Sequence, residues 1–459
     1  MVRRAFVIGG GVSGLACGDA LAERGFHVTV LEGGERLGGM AATFTRGDFR
    51  FDMGPHKLYT PQPVPMARVE GLFGAGELLR VPKVSQLFFR DRAFNYPLSM
   101  GELLRGIPPS RALAFGGSFL AGRLGPAGNG SYAAFMRRQF GKALYDDVFG
   151  PAARKVFGED EALSSRLGEA RFAGKGLGSF VKQALGAGAR IDAPRFAYPK
   201  LGTGEVPERL ARRIAARGGV VRTGAPVSRI ETGGAFVSGL VAGGERLAVG
   251  PEDAVIYTIP LGLAPDLFGF DEAEVRAAAR ALRYRILILV YLHLARPRGM
   301  ENQWTFFPAS DVVFNRLSEP RNFSPDMAPP GRTSLVAEVT APSDLAQGAE
   351  PEIVARVIAD LARLRLIAEI DVVDSHTQRL EHGYPVWLAG FESARETLLS
   401  RVDAVRNVYP LGRQGLYEYV GICDCVDMAL KTAEHIASGV PHEGWTYIRR
   451  ELESYPVVD

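Results

Sequence analysis

Apolar residues along the chain fall in short runs broken by glycine and proline, which predicts alternating strands and helices. Residues 5–8 form the first such run and read as a short buried parallel strand. Gly9-Gly-Gly11-Val-Ser-Gly14 follows, residues 15–24 have helical composition, and after Gly25 a second strand, His27–Leu31, ends in Glu32. Residues 48–56 read as a strand entering a turn at Gly54-Pro55-His56, and residues 87–98 alternate as a hairpin turning at Asp91-Arg92. Residues 99–188 carry a helical pattern interrupted by proline and glycine, including Tyr132–Phe140 with its apolar residues on one face. A loop at Tyr198-Pro-Lys200-Leu-Gly202-Thr-Gly204 leads into a helix over 206–216. Strands are expected over 220–230, 245–249, 253–259, 282–294, 314–339 and 376–389, with a helix over 352–366. A glycine turn at 412 opens a final helix that runs to 438.

With 459 residues and 49.6 kDa, the chain suits two or three domains. Hydrophobic and charged fractions of 46% and 23% fit a globular protein and exclude a disordered or collagenous one. Glycine is the outlier, at 55 residues. Only 8 of the 54 basic residues are lysine, so a GC-rich genome explains part of that excess, and the positions of the glycines must decide. The net charge of +3, without basic runs interleaved with aromatics, excludes a nucleic-acid partner. Cys17, Cys423 and Cys425 are too few for a disulfide framework or a four-ligand zinc site, so no metal is expected and a reducing cytoplasm fits best. The run 286–295 is about half of the ~20 residues a membrane span needs. The N-terminal MVRRAFVIGGG mimics a signal peptide, but its apolar part is short and breaks into glycines, so a buried strand is the better reading.

Strand, glycine turn, helix, strand and acid together make the full dinucleotide fingerprint. Gly9 permits the tight turn, Gly11 lets the backbone approach a pyrophosphate, and Gly14 lets helix and strand pack closely. The helix start offers free N–H groups to the phosphates, and Glu32 is placed to accept ribose hydroxyls. No second Gly-x-Gly-x-x-Gly follows a strand, so a dedicated nicotinamide domain is not expected.

Glu32-Gly33-Gly-Glu-Arg36-Leu-Gly38-Gly39 resembles the extended motif of the FAD-binding superfamily that contains amine oxidases, phytoene desaturases, protoporphyrinogen oxidases and UDP-galactopyranose mutases. Where members often carry a basic residue after the paired glycines, Met40 stands here. Further motifs follow in order: Gly54-Pro55-His56, Lys155-Val-Phe157-Gly158 with Arg171, Leu282-Arg-Tyr-Arg285, Phe314-Asn-Arg316, Tyr384-Pro-Val386 and Gly412-Arg413-Gln-Gly415. Over residues 5–438 the chain is similar to bacterial flavoproteins called protoporphyrinogen-oxidase-like, which share their skeleton with the mutase. The resemblance implies an α/β fold in which an FAD-binding Rossmann-like domain is interleaved with an α+β substrate domain. The expected FAD-binding segments are 1–80, 196–270 and 405–459. Residues 81–195 and 271–404 would form the substrate domain, with an antiparallel sheet and a helical part at about 99–190.

By that resemblance FAD contacts come from Gly9, Gly11, Val12, Ser13, Gly14, Glu32, Gly33, Arg36, Gly38, Gly39, Met40, Gly54, Pro55, His56, Val227, Gly412, Arg413 and Asp424. Gly415 joins the glycines expected to give a flavin bare backbone. In the mutase, arginines matching Arg171, Arg285 and Arg413 hold a diphosphate, assisted by tyrosines matching Tyr384 and Tyr419. Arg316 joins this substrate set, and His56, Arg285, Arg413 and Tyr384 are the catalytic candidates. Departures from the mutase pattern are Phe157 for a tryptophan, Gly421 for an acid and Ala429 for a glycine.

Guanidinium forks favour an anionic small-molecule partner. Arg285 is singled out because it opens a run too apolar for a surface strand. His56 is either a satisfied turn histidine or a group beside the flavin, and Asp424 either contacts the cofactor or caps the last helix. Residues 99–125, apolar with scattered arginines, read as core-facing, with membrane contact or guidance of a greasy substrate the less favoured alternative. The expected activity is FAD-dependent dehydrogenation of a carbon–carbon or carbon–nitrogen bond of an anionic, small or lipid-linked substrate. The alternative is mutase-like isomerisation of a nucleotide sugar without net redox change. The expected location is cytoplasmic or at the membrane periphery.

Overall fold

The computed structural model describes residues 3–96, 101–102, 106–124, 130–172, 194–453 and 455. A five-stranded parallel sheet holds the order Val408–Pro410, Ala254–Tyr257, Arg4–Ile8, His27–Leu31, Val220–Arg222. Its central strand is apolar because both faces are covered, and Ala5, Val7 and Ile8 are essentially inaccessible. Helix Val12–Glu23 lies between this sheet and helix Ile422–Ser438. The approach is close enough that a Cβ on Gly14 would overlap the carbonyl oxygen of Gly9 and crowd Val7. Three stretches far apart in sequence thus share one sheet.

The stretch 220–230 is two strands rather than one. Val220–Arg222 ends the parallel sheet, and Val227–Gly233 starts an antiparallel sheet with Phe236–Ala242 and Glu245–Ala248. Gly224, with φ of 61°, and Pro226, which has no N–H, break the run between them.

A seven-stranded sheet has the order Val372–Val386, Arg283–Leu294, Thr333–Ala341, Arg316–Ser318, Trp304–Phe306, Ser85–Phe89, Arg92–Tyr96. All its pairs are antiparallel except Trp304–Phe306 with Ser85–Phe89. Strand Arg283–Leu294 is buried from both sides. Ile286, Ile288, Val290 and Leu292 meet Val357 and Leu361 of helix Glu350–Arg363, whereas Leu287, Leu289 and Tyr291 meet Phe44 and Phe51. The latter belong to the hairpin Thr43–Arg46 and Phe49–Asp52.

Other boundaries also move from expectation. The stretch 314–339 divides into Arg316–Ser318 and Thr333–Ala341, because Pro320 and Pro325 start short 3-10 turns between them. The hairpin turns at Arg90-Asp91, both at positive φ (52° and 58°), one residue before the expected position. Helix Ile422–Ser438 is preceded by a short separate one, Gly412–Gly415, and is not the last, since Trp445–Leu452 follows it.

Among the described residues of the helical region are Pro109–Leu124, Tyr132–Phe140, Gly150–Phe157 and Ser165–Phe172. The part of the expected helical stretch over 173–190 lies outside the described residues. Phe140 meets Phe149 at 4.8 Å and Phe172 at 5.3 Å between ring centroids. Pro109–Leu124 faces the interior on one side only: Phe115 is buried, while Leu113, Leu120 and Leu124 are exposed. No helix among the described residues is long and apolar enough to cross a membrane.

Gly14→Val should destabilise the protein by at least about 3 kcal/mol, since neither the Gly9 carbonyl nor the first strand can withdraw. Urea unfolding of the purified variant reads this directly.

Candidate functional site

At the carboxyl end of the first strand the chain forms a cradle of backbone. Gly9 takes φ of 105°, and helix Val12–Glu23 starts at Gly11 without a side-chain cap. Its first N–H groups therefore face outward with the positive end of the helix dipole. The loop carrying Gly38 and Gly39 folds back, with Gly38 N donating to Gly10 O at 2.8 Å. The Glu32 carboxylate accepts from Gly10 N and from Gly34 N, both at 2.7 Å. Those two bonds fix it in place and leave lone pairs for a ribose. A Cβ on Gly11 would meet no atom within 4 Å, so the missing side chain leaves a groove open. Bare backbone, an uncapped helix and a fixed acid fit a dinucleotide such as FAD.

From this cradle one cavity of about 1020 Å³ runs into the second sheet and the helical region. Its wall includes Gly9, Gly11, Val12, Ser13, Glu32, Gly38, Gly39, Met40, Gly54, Pro55 and His56. Arg171, Arg316, Tyr384, Arg413 and Tyr419 line it too. The remaining candidates stand off the wall. Gly14 packs helix on strand, and Gly33 and Val227 flank Pro226 beside Glu32. Arg36 lies exposed with its guanidinium 5.2 Å from the Phe44 ring. A Cβ on Gly412 would strike Ser13, and one on Gly415 the Tyr257 carbonyl, so these glycines serve contacts within the protein. Asp424 accepts from Gly421 N at 2.9 Å and caps helix Ile422–Ser438; burial raises its carboxyl to about 6.

Arg285 also stands off the wall. Its guanidinium lies against Gly158 and donates to the Thr340 carbonyl at 3.5 Å, with Nε buried and unpartnered. The ladder to Val372–Val386 shifts register between Arg285 and Leu287, which breaks the alternation that the sequence pattern assumes.

The middle of the cavity is polar. Gly54 takes φ of 89° and leads through Pro55 to His56, whose Nε2–H donates to Met40 O at 2.7 Å. That bond fixes the tautomer, leaving Nδ1 as acceptor, and burial lowers the ring's pKa so that it is neutral near pH 7. Across the wall Glu338, fully inaccessible, receives Arg316 in a fork of 2.5 and 2.9 Å and the Tyr384 hydroxyl at 3.2 Å. Arg316 is thus neutralised within the protein. Burial, then Glu338, pushes the Tyr384 phenol up to about 12.

Arg413 has no carboxylate partner among the described residues. Its guanidinium sits 5.9 Å from the Tyr384 ring and 4.9 Å from the Tyr419 ring, with Nε buried and without a partner. Arg171 stands over Phe157 and Tyr419 at 5.7 and 5.6 Å. Glu338 escaped the sequence reading. The signal that singled out Arg285, a charge inside an apolar strand, applies equally to Ala337-Glu338-Val339.

Gly11→Val should lose the bound flavin yet fold, because its extended backbone (φ −75°, ψ 175°) accepts a β-branched residue and its Cβ points into open space. The expected stability cost is below about 1 kcal/mol, read by unfolding of the flavin-free protein beside the flavin content. Glu338→Gln should cost about 3 kcal/mol by leaving the Arg316 charge unbalanced, while Glu338→Met with Arg316→Met recovers most of it, as urea midpoints will report.

The model of the family described as flavin containing amine oxidoreductase matches residues 12–390. A zeta-carotene-forming phytoene desaturase of Myxococcus xanthus is 27% identical over 424 residues, covering 79% of this chain and 77% of that protein. The crystal structure of reduced UDP-galactopyranose mutase superposes with a TM-score of 0.83 at 19% identity, covering 99% of this chain and 100% of that one. A candidate protoporphyrinogen oxidase from Exiguobacterium sp. 255-15 superposes with a TM-score of 0.75 at 18% identity, covering 95% and 99%. The two structures share the fold, and the family match carries the cofactor: the chain belongs to the flavin-containing amine oxidoreductases and its cofactor is FAD.

Proposed function

We propose that this flavoenzyme is an oxidoreductase that dehydrogenates a carbon–carbon or carbon–nitrogen bond of an anionic small molecule. The observation that carries this reading is Arg413, a guanidinium on the cavity wall beside two tyrosines and with no carboxylate partner among the described residues. A cation that lines a cavity without a counter-charge favours a carboxylate or phosphate there. When bound, FAD supplies the hydride acceptor, its N5.

The chain's own residues do the rest. Gly9, Gly11, Gly38 and Gly39 give backbone to the pyrophosphate, and Glu32 takes the ribose. Arg413 and Arg171 hold the anionic group and so orient the reacting bond. His56 Nδ1 takes the substrate proton while Nε2–H keeps the ring anchored on Met40. Tyr384, protonated throughout the working range and hydrogen-bonded to Glu338, presents a fixed edge to the substrate. Mutase-like isomerisation of a nucleotide sugar is the second reading, favoured by the gathering of Arg171, Tyr384, Arg413 and Tyr419 in one place.

Anaerobic addition of substrate should bleach the flavin absorbance, and turnover should consume an electron acceptor. Activity that appears only after reduction with dithionite, and that consumes no acceptor, would establish the isomerase instead. Because burial lowers the His56 pKa, the base is free at neutrality. The profile of kcat/KM should therefore stay flat above about pH 6.5 and fall only below it. His56→Ala should abolish that acid limb and lower kcat about 100-fold.

A further inference from the structure

Beyond the polar centre, the cavity continues into the helical region with a different character. Among the described residues, none of the wall residues contributed by 87–157 is charged; they are alanine, glycine, valine, leucine, phenylalanine and tyrosine. Phe115 and Phe119 come from helix Pro109–Leu124, and Phe140, Val148 and Phe149 face the same space. Arg171 stands where the two parts meet, over Phe157 at 5.7 Å. An arm of this kind gives no hydrogen-bonding partner to a short polar metabolite or to a ribose, whereas it matches an apolar chain.

A glycine in helix Pro109–Leu124 points the same way. Glycine within a helix costs about 1 kcal/mol against alanine, so a helical glycine on a wall calls for a reason. Gly122 has one inside the protein, since a Cβ there would come 2.6 Å from the Arg137 carbonyl. A Cβ on Gly116 would meet no atom of the described residues within 4 Å, and Gly116 lies on the cavity wall between Phe115 and Phe119. Its bare surface belongs to the space of the arm.

We infer that the substrate is an anionic amphiphile, with its charged head at Arg413 and Arg171 and a long apolar tail in the arm lined by Phe115, Gly116, Phe119 and Phe149. The inference rests on the anionic dehydrogenation reading and adds the tail to it. Each methylene entering the arm is worth about fourfold in affinity, and the guanidinium forks provide orientation.

Binding to the flavin-loaded protein tests this, read by calorimetry and by perturbation of the flavin spectrum, with ethyl, hexyl and decyl phosphate below their micelle concentrations. Dissociation constants should fall by about fourfold per methylene along the series. Gly116→Leu should keep its flavin and bind ethyl phosphate as the wild type does, but lose at least tenfold for decyl phosphate. Gly117→Leu makes the same helix-favouring change off the cavity wall, where a Cβ also meets nothing within 4 Å, and should bind the whole series normally. Affinity independent of chain length in the wild type, or equal losses in both variants, would overturn the tail. Decanoate binding like decyl phosphate supports a general anion site, and tighter decyl phosphate assigns the head as phosphate. Decanol binding as tightly as either would overturn the anionic head, and with it the reading of Arg413, while leaving the tail in place.

Discussion

Strand Arg283–Leu294 is hydrogen-bonded along both edges and apolar on both faces, so it has no freedom to slide. A slip of one residue would present each face's side chains to the other. That register places the polar centre of the cavity. Leu289 stands opposite Glu338, Glu338 opposite Arg316, and Arg285 opposite Tyr384. The ring of hydrogen bonds around Glu338 is assembled by the core on either side, so the chemistry of the site inherits its precision from packing. Hairpin 43–52 closes one face of the same strand and then turns through Gly54 to His56, joining the cofactor cradle to that register.

Electrostatically the centre is arranged by cancellation. A carboxylate with no access to water is tolerable only when a fork such as that of Arg316 meets it. Beside that closed pair, Arg413 and Arg171 also line the cavity, each set against aromatic faces. An aromatic face holds a guanidinium without consuming its N–H groups, and Arg413 gives one of them to the Gly383 carbonyl at 3.4 Å. The site therefore offers directional donors at one end of an otherwise apolar space.

The cradle was legible in the sequence because its parts are contiguous: a strand, a glycine turn, a helix and an acid lie within the first 32 residues and are built from backbone. The sheets were legible in part. Apolar runs marked the strands, but prolines and Gly224 decide where they stop. Arg285 and Glu338 show where pattern reading ends. Both are charges in apolar strands, yet a register shift turns one against Gly158 while regular pairing aims the other at Tyr384. The apolar arm was legible only as the less favoured alternative for residues 99–125, guidance of a greasy substrate, because its wall is complete only where hairpin 85–96 and helices from residues 109–172 converge. Gly412 and Gly415 read in the sequence like cofactor glycines, and in the fold a Cβ on them would also strike Ser13 and the Tyr257 carbonyl, a packing need that the pattern does not distinguish from cofactor approach.

The bond from His56 to the Met40 carbonyl extends the pairing of hairpin 43–52, in which Met53 N already donates to Ala42 O at 3.1 Å, as far as the cradle loop. Met40 follows the two glycines that close over the cradle, and those residues hold φ of 105° and 55°, conformations that glycine alone adopts easily. The carbonyl that receives the imidazole thus belongs to the same stretch of backbone whose glycines shape the cradle. Cofactor site and base share one frame, so the tautomer of the base is set by the peptide chain that forms the cofactor's seat.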